Sequence, residues 1–502
     1  MQGESDVLTR FRFYSLSLCL ILLVSASCSA ATTTTTRELA QGVVLYQEIN
    51  TTSDAQLIIN AVTVDPKAEG VAIKAAIGQD VILTEQPTKG CETIGSMTGR
   101  RGAVLGVNAD FFPMGTDRAG DPLGVCIIDG ELVSEPSFRH AVAAILADGT
   151  CRFDNPIWQA KLSLTSGVSR QIDGINRDRE TNQVIAYTGM FDSQTRSKYK
   201  GTEIICSAEN LPVQCGKTIN LTVVEVRPDS VHTPIPKDGM VLSAGGPAAS
   251  FLKANLKPGD KLTVRFDIKS TNGIDWTQVQ QAVGGRPWIL KDGKEHISLE
   301  YERVGASFST ARHPRTALGA TADGKLMMVT VDGRQSISRG INLPDLSAVM
   351  KRLGATDAIN LDGGGSTTMS YRGGIVNSLS GGIMRNVANG VLVFANPVVV
   401  DEIPNLSICA PGSDLVVGNG VQLSLTQGED GCPLSKEQLD KIIWTVSNGM
   451  GFVNQQGYWI PSRARKGPIT VFYGSQQVSV DFNVIAEQPK EPEVEEVPAS
   501  VR

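Results

Sequence analysis

The segment Asn360-Leu361-Asp362-Gly363-Gly364-Gly365-Ser366-Thr367-Thr368 is the most informative stretch of this 502-residue chain. Three consecutive glycines can adopt positive φ angles, so successive backbone amides can converge on one point and bind an anion. A glycine triplet alone is more often a flexible loop, but the flanking Asp, Ser and Thr favour a site. Because a short apolar strand is predicted at residues 357–361, we expect Asp362 at the end of a buried strand, facing a cleft.

A helix is predicted immediately before that strand. Apolar residues recur there at helical spacing, between an N-cap asparagine and a terminating glycine. These residues are Asn342, Leu343, Leu346, Val349, Met350, Leu353 and Gly354. Alternating apolar and polar residues predict strands at 42–48 and 57–64, and strand-like runs bounded by Gly, Asp or Asn predict others at 124–128, 141–146, 261–268 and 326–331. With 51 glycines and 24 prolines, the chain is expected to adopt an α+β fold that is β-rich, with few helices.

Composition divides the chain into five segments. Residues 1–30 resemble a signal peptide, and residues 31–39, which contain the run Thr32–Thr36, are interpreted as a linker. Residues 40–397 form the β-rich domain. Short apolar segments within residues 402–486 predict a small all-β, Ig-like sandwich. Residues 487–502 are proline-rich and charged, which predicts a disordered tail.

The N-terminal segment predicts a secreted or extracytoplasmic protein. Arg10 and Arg12 precede an apolar run that is about half the length needed to span a bilayer. Cys28 would allow lipoprotein anchoring, but Ser25-Ala26-Ser27 before it is not the Leu-small-small sequence that normally precedes a lipid-modified cysteine. Secretion with cleavage is the favoured interpretation.

Seven further cysteines are spaced without the CxxC pairs typical of zinc sites. In an exported protein, disulfides are the natural use of such cysteines, and the candidate pairs are Cys206 with Cys215 and Cys409 with Cys432. A net charge of -6 without a Lys/Arg block argues against a nucleic-acid partner.

Two other clusters carry residues suited to ligand binding. Arg312, His313 and Arg315 precede a strand, and guanidinium groups can bind phosphate or carboxylate in a bidentate manner. In the segment 106–112, Asn108 and Asp110 alternate with apolar residues and run into Phe111 and Phe112, on which a sugar could stack. The structural alternatives are a solvated basic turn and a core aromatic pair. Glu203 is a weaker candidate, with a surface strand residue as the alternative.

Segments 331–335 and 385–390 are polar turns that would identify no function by themselves. The chain contains no Gly-x-Ser-x-Gly elbow, His-Glu-x-x-His motif, Walker turn or dinucleotide fingerprint. Serine-triad and zinc-peptidase chemistries are therefore disfavoured.

Taken in order, these clusters resemble the phosphodiester glycosidase family over residues 40–396. The most specific parts are 315–319, 331–334 and 360–368. The segment 282–287 also resembles a glycine-rich turn of the family, although Arg286 stands where a smaller residue is expected. The resemblance implies hydrolysis of a sugar 1-phosphodiester at its glycosidic bond, and hence a glycan or sugar-phosphodiester substrate. The C-terminal module is a candidate for association with the cell envelope.

The resemblance and the clusters together predict the site residues. The predicted catalytic residues are Asp362, Asp332 and Arg315, and the predicted substrate-binding residues are Asn108, Asp110, Arg312, His313, Thr316, Gly284, Gly285, Gly363, Gly364, Gly365, Ser366, Thr367, Asn386 and Asn389. Asp362 or Asp332 would activate water or support an oxocarbenium-like centre, with the assignment between them left open.

No cofactor is required by the sequence. Calcium near the carboxylates is the one cation considered, although no EF-hand type of loop is present and no metal ligand can be named. Two alternatives to the phosphodiester glycosidase remain. One is a non-catalytic carbohydrate or cell-wall binding protein on the same scaffold, and the other is a glycosidase acting on ordinary glycosidic bonds.

Overall fold

The computed structural model describes residues 32–52, 56–412 and 415–487. The predicted signal peptide, Cys28 and residues 488–502 of the predicted tail lie outside these ranges. Within them, no helix is both long and apolar enough to cross a membrane.

The described residues form many short strands and few helices, as the α+β prediction requires. In the N-terminal part the strands are β1 Thr32–Ala40, β2 Val43–Asn50, β3 Leu57–Val64, β4 Ala72–Ile77, β5 Glu92–Thr93, β6 Leu105–Asn108, β7 Cys126–Ile128, β8 Glu131–Ser134, β9 Ala141–Leu146 and β10 Cys151–Asp154. The central part contains β11 Ile157–Leu164, β12 Ser169–Gln171, β13 Gly174–Ile175, β14 Val184–Tyr187, β15 Gly201–Glu209, β16 Thr218–Ser230, β17 Gly239–Ala244, β18 Lys261–Lys269 and β19 Val279–Gly285.

The remaining strands follow the central part. They are β20 Trp288–Lys291, β21 Lys294–Glu295, β22 Arg315–Thr321, β23 Leu326–Val331, β24 Ala355–Asn360, β25 Met369–Tyr371, β26 Gly374–Ile375, β27 Asn386–Val387, β28 Asn389–Phe394, β29 Ser407–Cys409, β30 Leu415–Val416, β31 Val421–Gln422, β32 Ser424–Gln427, β33 Cys432–Pro433, β34 Ile442–Val446, β35 Phe452–Val453, β36 Tyr458–Ile460, β37 Arg465–Tyr473 and β38 Gln476–Ile485. The described α-helices are α1 Ile94–Arg101, α2 Gly246–Asn255, α3 Ala306–Thr310, α4 Leu343–Arg352 and α5 Lys436–Leu439.

Two large sheets carry the strands around the glycine turn. One has the order β1-β2-β3-β23-β22-β24-β20-β21, and the other runs β30-β38-β37-β34-β26-β25-β6-β28-β4. Their apolar faces contribute to one core, in which Leu318 and Ile359 of the first sheet join Val107 and Val391 of the second. A separate eight-stranded sheet, β12-β11-β18-β16-β15-β17-β14-β13, has its own core.

Helix α4 confirms the prediction in detail. The Asn342 side chain accepts a hydrogen bond from the Asp345 backbone N–H at 2.8 Å, which satisfies one of the free donors of the first turn. Leu346 and Met350 are fully buried, so the apolar face packs on the sheet. Gly354 follows the helix with φ of +103°, a conformation that favours glycine.

The predicted linker at residues 31–39 is wrong over its described part. Residues 32–40 form strand β1, which pairs antiparallel with β2 from Thr32 opposite Asn50 to Ala40 opposite Val43. Threonine is β-branched and fits an extended, half-exposed strand, so the run Thr32–Thr36 adopts regular structure.

Residues 398–487 form a C-terminal module with the packed sheets of a β-sandwich. One of its sheets continues into the N-terminal part, because Ile375 in β26 pairs with Val446 in β34. Strand β1 adds a polar link: the Arg37 guanidinium donates to the carbonyl oxygens of Ile442 and Gln455 at 3.2 and 3.1 Å. The module is therefore joined to the larger body by sheet pairing and by a buried arginine.

Both proposed disulfides are absent, and the seven described cysteines are thiols. Cys409 and Cys432 pair with β32 from its two sides, opposite Ser424 and Gln427. Two strand spacings separate them by roughly 9–10 Å across the sheet, and the three-residue offset along β32 adds about 10 Å along the strand, so they are beyond the reach of a disulfide. Cys206 lies opposite Val223, well inside β16, whereas Cys215 precedes the start of that strand. The hairpin therefore places these two thiols far apart along its length.

Candidate active site

The site is built where polar strand ends from the two large sheets meet. Asn108 ends β6 opposite Gly390, and Asn360 ends β24 opposite Ala317. Asn108 donates from Nδ2 to the Asp362 carbonyl oxygen at 2.7 Å. Its Oδ1 accepts from the Thr316 hydroxyl at 2.8 Å and from a backbone N–H of the turn at 3.1 Å. This buried amide thus fixes the glycine turn to both sheets.

Close packing and backbone conformation favour glycine in the turn. A Cβ on Gly363 would lie 2.6 Å from the Pro314 carbonyl oxygen, and one on Gly365 would lie 2.3 Å from the Arg385 guanidinium. Gly364 has φ of +60° and begins a short 3-10 turn that ends at Ser366. The predicted convergence of free amides is not present, because the N–H groups of Gly364 and Ser366 donate to the carbonyl oxygens of Pro314 and Gly363, and a guanidinium group lies against the turn.

Asp362 begins the turn and is partly exposed. Its Oδ1 accepts from the Gly363 backbone N–H at 2.9 Å. Burial raises the pKa of Asp362, while Ser366, the Gly363 N–H and the charge of Arg385 oppose that rise. The carboxylate is thus held at the mouth of the site beside a cation.

Asp110 is the second carboxylate of the site and is 2% exposed. Its oxygens accept from the backbone N–H groups of Phe111 and Gly124, both at 2.7 Å. Burial raises the pKa of Asp110 to about 7, and the nearby charge of Asp362 adds to the rise. A Cβ on Gly284 would lie 2.2 Å from Asp110 Oδ2, so this glycine makes room for the carboxylate.

Four arginines surround the carboxylates and the turn: Arg286, Arg315, Arg334 and Arg385. Over the described ranges none of them forms an ion pair with a carboxylate within 4.0 Å. A Cβ on Gly364 would lie 3.1 Å from Arg334 Nη1, and Arg385 Nη1 donates to the Ser366 hydroxyl at 3.2 Å. Uncompensated guanidinium groups favour an anionic ligand.

Arg315 was predicted to be catalytic, but its contacts are structural. It is 2% exposed, and its guanidinium donates to the carbonyl oxygens of Phe308, Ala311 and Ile341 at 2.6, 3.1 and 3.3 Å. Burial lowers its pKa to about 10, and the charge of Arg334 adds to the effect. Arg315 therefore braces the segment that carries the site and contributes positive potential to it.

Two histidines contact these arginines. His313 Nδ1 lies 3.2 Å from Arg334 Nη2, and His140 Nε2 lies 2.9 Å from Arg286 Nη1. Burial and the arginine charge lower the pKa of both imidazoles, that of His140 to about 4. Both are neutral at pH 7, so each ring nitrogen can accept a hydrogen bond from its arginine.

Asp332, the other predicted catalytic carboxylate, is a buried structural group. It is 0% exposed, and its two oxygens accept from Asn377 Nδ2 at 2.9 Å and from the Ser378 backbone N–H at 2.8 Å. Burial raises its pKa to about 7. No surface of Asp332 is accessible, and its hydrogen bonds hold the segment 377–378, so these contacts give no support to the predicted catalytic role.

The remaining predicted residues divide into two groups. Thr316, Ser366, Thr367 and Asn389 are buried around the turn, and Asn389 Oδ1 accepts from the Asp110 N–H at 2.8 Å. For three other residues the structure shows contacts with the protein or solvent. Arg312 is exposed and donates to the Gly340 carbonyl oxygen, and Asn386 is exposed on β27. Gly285 packs so closely on β24 that a Cβ there would lie 2.7 Å from the Asn360 carbonyl oxygen.

Glu203, the weaker candidate, is fully buried in the separate sheet. Its carboxylate accepts from the hydroxyls of Thr195, Ser197 and Ser243. The carboxylate is therefore satisfied by the protein and takes no visible part in the site.

Calcium does not fit the donors of the site. In the described part of the chain, no three His, Cys, Asp or Glu side chains come together as a metal site. Both oxygens of Asp110 already accept backbone N–H groups, and calcium takes six to eight oxygen ligands. No step of the chemistry is therefore assigned to a metal.

Comparison with known proteins agrees with this cationic, glycine-rich site. Residues 214–394 match the family described as phosphodiester glycosidase. This part of the chain therefore resembles a phosphodiester glycosidase domain. The matched range includes the glycine turn, Asp332, Arg334 and Arg385, while Asn108 and Asp110 lie before it.

Several relatives share this domain over short stretches. The N-acetylglucosamine-1-phosphodiester alpha-N-acetylglucosaminidase of Mus musculus is 31% identical over 102 residues, which cover 18% of this chain and 20% of that protein. The SPbeta prophage-derived uncharacterized protein YomE of Bacillus subtilis is 34% identical over 106 residues, or 21% of this chain and 16% of that protein. The chain thus spans about a fifth or less of the length of these relatives.

Solved structures show the same fold more widely. A protein from Burkholderia pseudomallei superposes with a TM-score of 0.61 at 20% identity, covering 73% of this chain and 97% of that one. A hypothetical protein from Synechocystis gives 0.60 at 19%, covering 73% and 64%. The shared fold therefore extends beyond the matched range.

Sequence reasoning did not assign Arg334, Arg385 and His140 to the site. Arg334 and Arg385 each belong to a polar turn that the sequence marks, and their place in those turns was the available signal. His140 had no such signal, because its partner Arg286 is 146 positions away in the chain.

Proposed function

We propose that this phosphodiester glycosidase domain hydrolyses the glycosidic bond of a sugar 1-phosphodiester and releases a sugar and a phosphomonoester. The observation that carries the proposal is the pairing of two carboxylates, Asp110 and Asp362, with guanidinium groups that lack acidic partners. A glycosidase acting on neutral sugars needs the carboxylates but not this excess of positive charge.

The phosphate of the substrate binds at the glycine turn. Arg385 packs against Gly365, and Arg334 lies beside Gly364, so two guanidinium groups flank the turn. They stabilise the negative charge on the departing phosphomonoester as the C–O bond breaks. Because such a leaving group departs as an anion, it needs less protonation than an alcohol does.

Asp362 is the carboxylate that meets the sugar. It is more exposed than Asp110 and lies beside the turn. In this position it stabilises the positive charge that develops at the anomeric carbon and accepts the proton of the attacking water, whose oxygen forms the new bond to that carbon. Asp110 stays behind it and positions the loop from Phe111 to Gly124 through two backbone hydrogen bonds.

The proposal is tested by matching two substrates that differ only in the leaving group. The purified mature protein is given N-acetylglucosamine-alpha-1-phosphodiester and the corresponding aryl glycoside, and the released sugar is measured with calcium added or chelated. We expect turnover of the phosphodiester and about tenfold higher KM in Arg385→Gln, with the aryl glycoside unaffected by that change. Equal use of both substrates would indicate an ordinary glycosidase, and turnover of neither by folded protein would favour a binding protein.

The cellular setting belongs to the same proposal. Arg10, Arg12 and the apolar run after them support export, and the C-terminal module supports contact with the cell envelope. The substrate would then be a glycan or envelope polymer outside the cytoplasm. N-terminal sequencing of the mature protein should find its first residue near position 31; an intact N-terminus in the cytoplasmic fraction would refute export.

A further inference from the structure

A cluster of two aromatic and two cationic side chains lies on the surface near the site. We call it the outer platform, and it consists of Phe138, Arg139, Tyr301 and Arg303. Phe138 is 61% exposed and Tyr301 is 41% exposed. The Arg139 guanidinium lies 4.7 Å from the Phe138 ring and 5.0 Å from the Tyr301 ring, and the Arg303 guanidinium lies 5.0 Å from the Phe138 ring. The two rings and two cations thus alternate in one surface patch.

The charges of the outer platform are not neutralised by the protein. In the part of the chain that the structure describes, neither Arg139 nor Arg303 forms an ion pair with a carboxylate. Stacking on a ring orients a guanidinium and leaves its N–H donors at the ring edges free to bind an anion. The platform therefore offers apolar faces and oriented anion donors together.

Both arginines of the outer platform have a left-handed backbone conformation. Arg139 has φ of +64° and Arg303 has φ of +54°, a region that non-glycine residues adopt at a cost of about 1–3 kcal/mol. Strain of this kind persists where the surrounding structure enforces it and is concentrated at binding sites. Both members of the cationic pair are held in this way.

A buried carboxylate enforces that arrangement. Glu302, between the two platform residues of its loop, is 1% exposed and accepts from the Ala141 backbone N–H at 3.0 Å and from the Trp288 backbone N–H at 2.8 Å. It therefore ties the 301–303 loop both to the 138–141 segment and to the strand that follows Arg286. The platform and the catalytic cleft share one rigid support.

Continuous contacts connect the platform to the catalytic carboxylates. Arg139 is followed by His140, whose Nε2 lies 2.9 Å from Arg286 Nη1. The Arg286 guanidinium in turn lies 5.7 Å from the Phe111 ring, next to Asp110. A chain bound in the cleft could thus reach the outer platform along a path lined by a cation and an aromatic ring.

We propose that the outer platform is a second subsite, which binds the next sugar-phosphate units of an extended, phosphodiester-linked glycan. Sugar faces stack on Phe138 and Tyr301, and the phosphate between them is bound by Arg139 and Arg303. This inference rests on the proposed function, because it names the class of substrate, a polyanionic glycan in place of a single sugar phosphodiester.

The test compares a minimal methyl phosphodiester of N-acetylglucosamine with a tetramer of N-acetylglucosamine 1-phosphate joined by phosphodiesters. Steady-state kcat and KM are measured for the wild-type protein, Phe138→Ala and the double variant Arg139→Gln/Arg303→Gln. We expect the KM for the tetramer to rise about tenfold in the double variant, while kcat for the tetramer stays the same. Both kinetic constants for the minimal substrate should also stay the same. The matched control is Arg170→Gln, since Arg170 also lies over an aromatic ring, that of Phe251, but in the separate sheet.

Binding of the tetramer is measured independently of turnover by titration calorimetry in an Asp362→Asn background. The same loss of affinity in the platform variants, but not in Arg170→Gln, supports the subsite. Unchanged affinity in the platform variants, or no tetramer binding at all, overturns it. If the wild-type protein cleaves neither substrate yet binds the tetramer through the platform, the proposed function fails and the subsite stands.

Discussion

The Asp332-Gly333 and Asp362-Gly363 turns are alike in sequence but differ in the contacts of their carboxylates. Both follow a buried strand, and both glycines pack against the backbone of Pro314. A Cβ added to Gly333 would lie 2.8 Å from the Pro314 nitrogen, and one added to Gly363 would lie 2.6 Å from the Pro314 carbonyl oxygen. The Asp332 oxygens are fully used by Asn377 and Ser378. Asp362 keeps an accessible edge next to unpaired guanidinium groups. The partners available to a carboxylate, and not the dipeptide, decide whether it can meet a substrate.

The largest expected difference between the two turns is in catalysis. Asp362→Asn should lower kcat on the phosphodiester by about 10³-fold or more, because the group that meets the sugar loses its charge. Asp332→Asn should lower kcat by less than about tenfold, since that side chain is inaccessible. Both variants are assayed under saturating substrate after circular dichroism has shown that they are folded. A larger loss in Asp332→Asn would reverse the assignment.

The second difference is in stability. Asp332→Ala leaves Asn377 Nδ2 and the Ser378 N–H buried without their acceptor and should lower the free energy of unfolding by about 2–3 kcal/mol. Asp362→Ala should change it by less than about 1 kcal/mol, because water can replace a partly exposed carboxylate. Urea unfolding at pH 6 compares the two. An equal loss of free energy of unfolding in the two variants would mean that Asp332 and Asp362 do not differ in how much their burial contributes to stability.

The smallest expected difference is in pH dependence. Burial raises the pKa of Asp332 to about 7 from its usual 3.8, so between about pH 4 and 7 the unfolded chain releases a proton that the folded protein keeps. The free energy of unfolding should therefore fall as pH rises through this window. In Asp332→Asn the free energy of unfolding should fall less steeply with pH. The same pH dependence in the variant and the wild type would show that Asp332 is already ionised in the folded protein. Asp110, whose pKa is also raised to about 7, should supply the slope that remains.

Local patterns in the sequence predicted much of the fold. Helix α4 was predicted from its apolar spacing and caps, β3 from alternation, and β9 and β23 as strand-like runs between turn residues. All of these signals arise from residues close in the chain. Strand β1 was mistaken for a linker because a repeated threonine was interpreted as low complexity. Threonine is also β-branched and suits a strand, but that interpretation required knowing that residues 32–40 pair with β2, which composition does not show.

The glycine turn and its neighbours Asn108 and Asp110 were predicted because each carries a local motif. The burial of Asp332 was not, since its partners Asn377 and Ser378 lie 45 and 46 positions away. The use of Arg315 by backbone carbonyls was missed for a related reason: the acceptor at Ile341 is 26 positions away and leaves no side-chain signature. Long-range hydrogen bonding separates a catalytic acid from a structural one.

The position of the bond that breaks tests the central claim most directly. The phosphodiester is hydrolysed by the protein in water enriched in oxygen-18, and the products are analysed by mass spectrometry. Cleavage of the C–O bond at the anomeric carbon places the label in the released sugar, which is the result expected of a glycosidase with Asp362 beside that carbon. Label in the phosphomonoester would show attack at phosphorus, and the assignment of the cleft to glycoside hydrolysis would be contradicted.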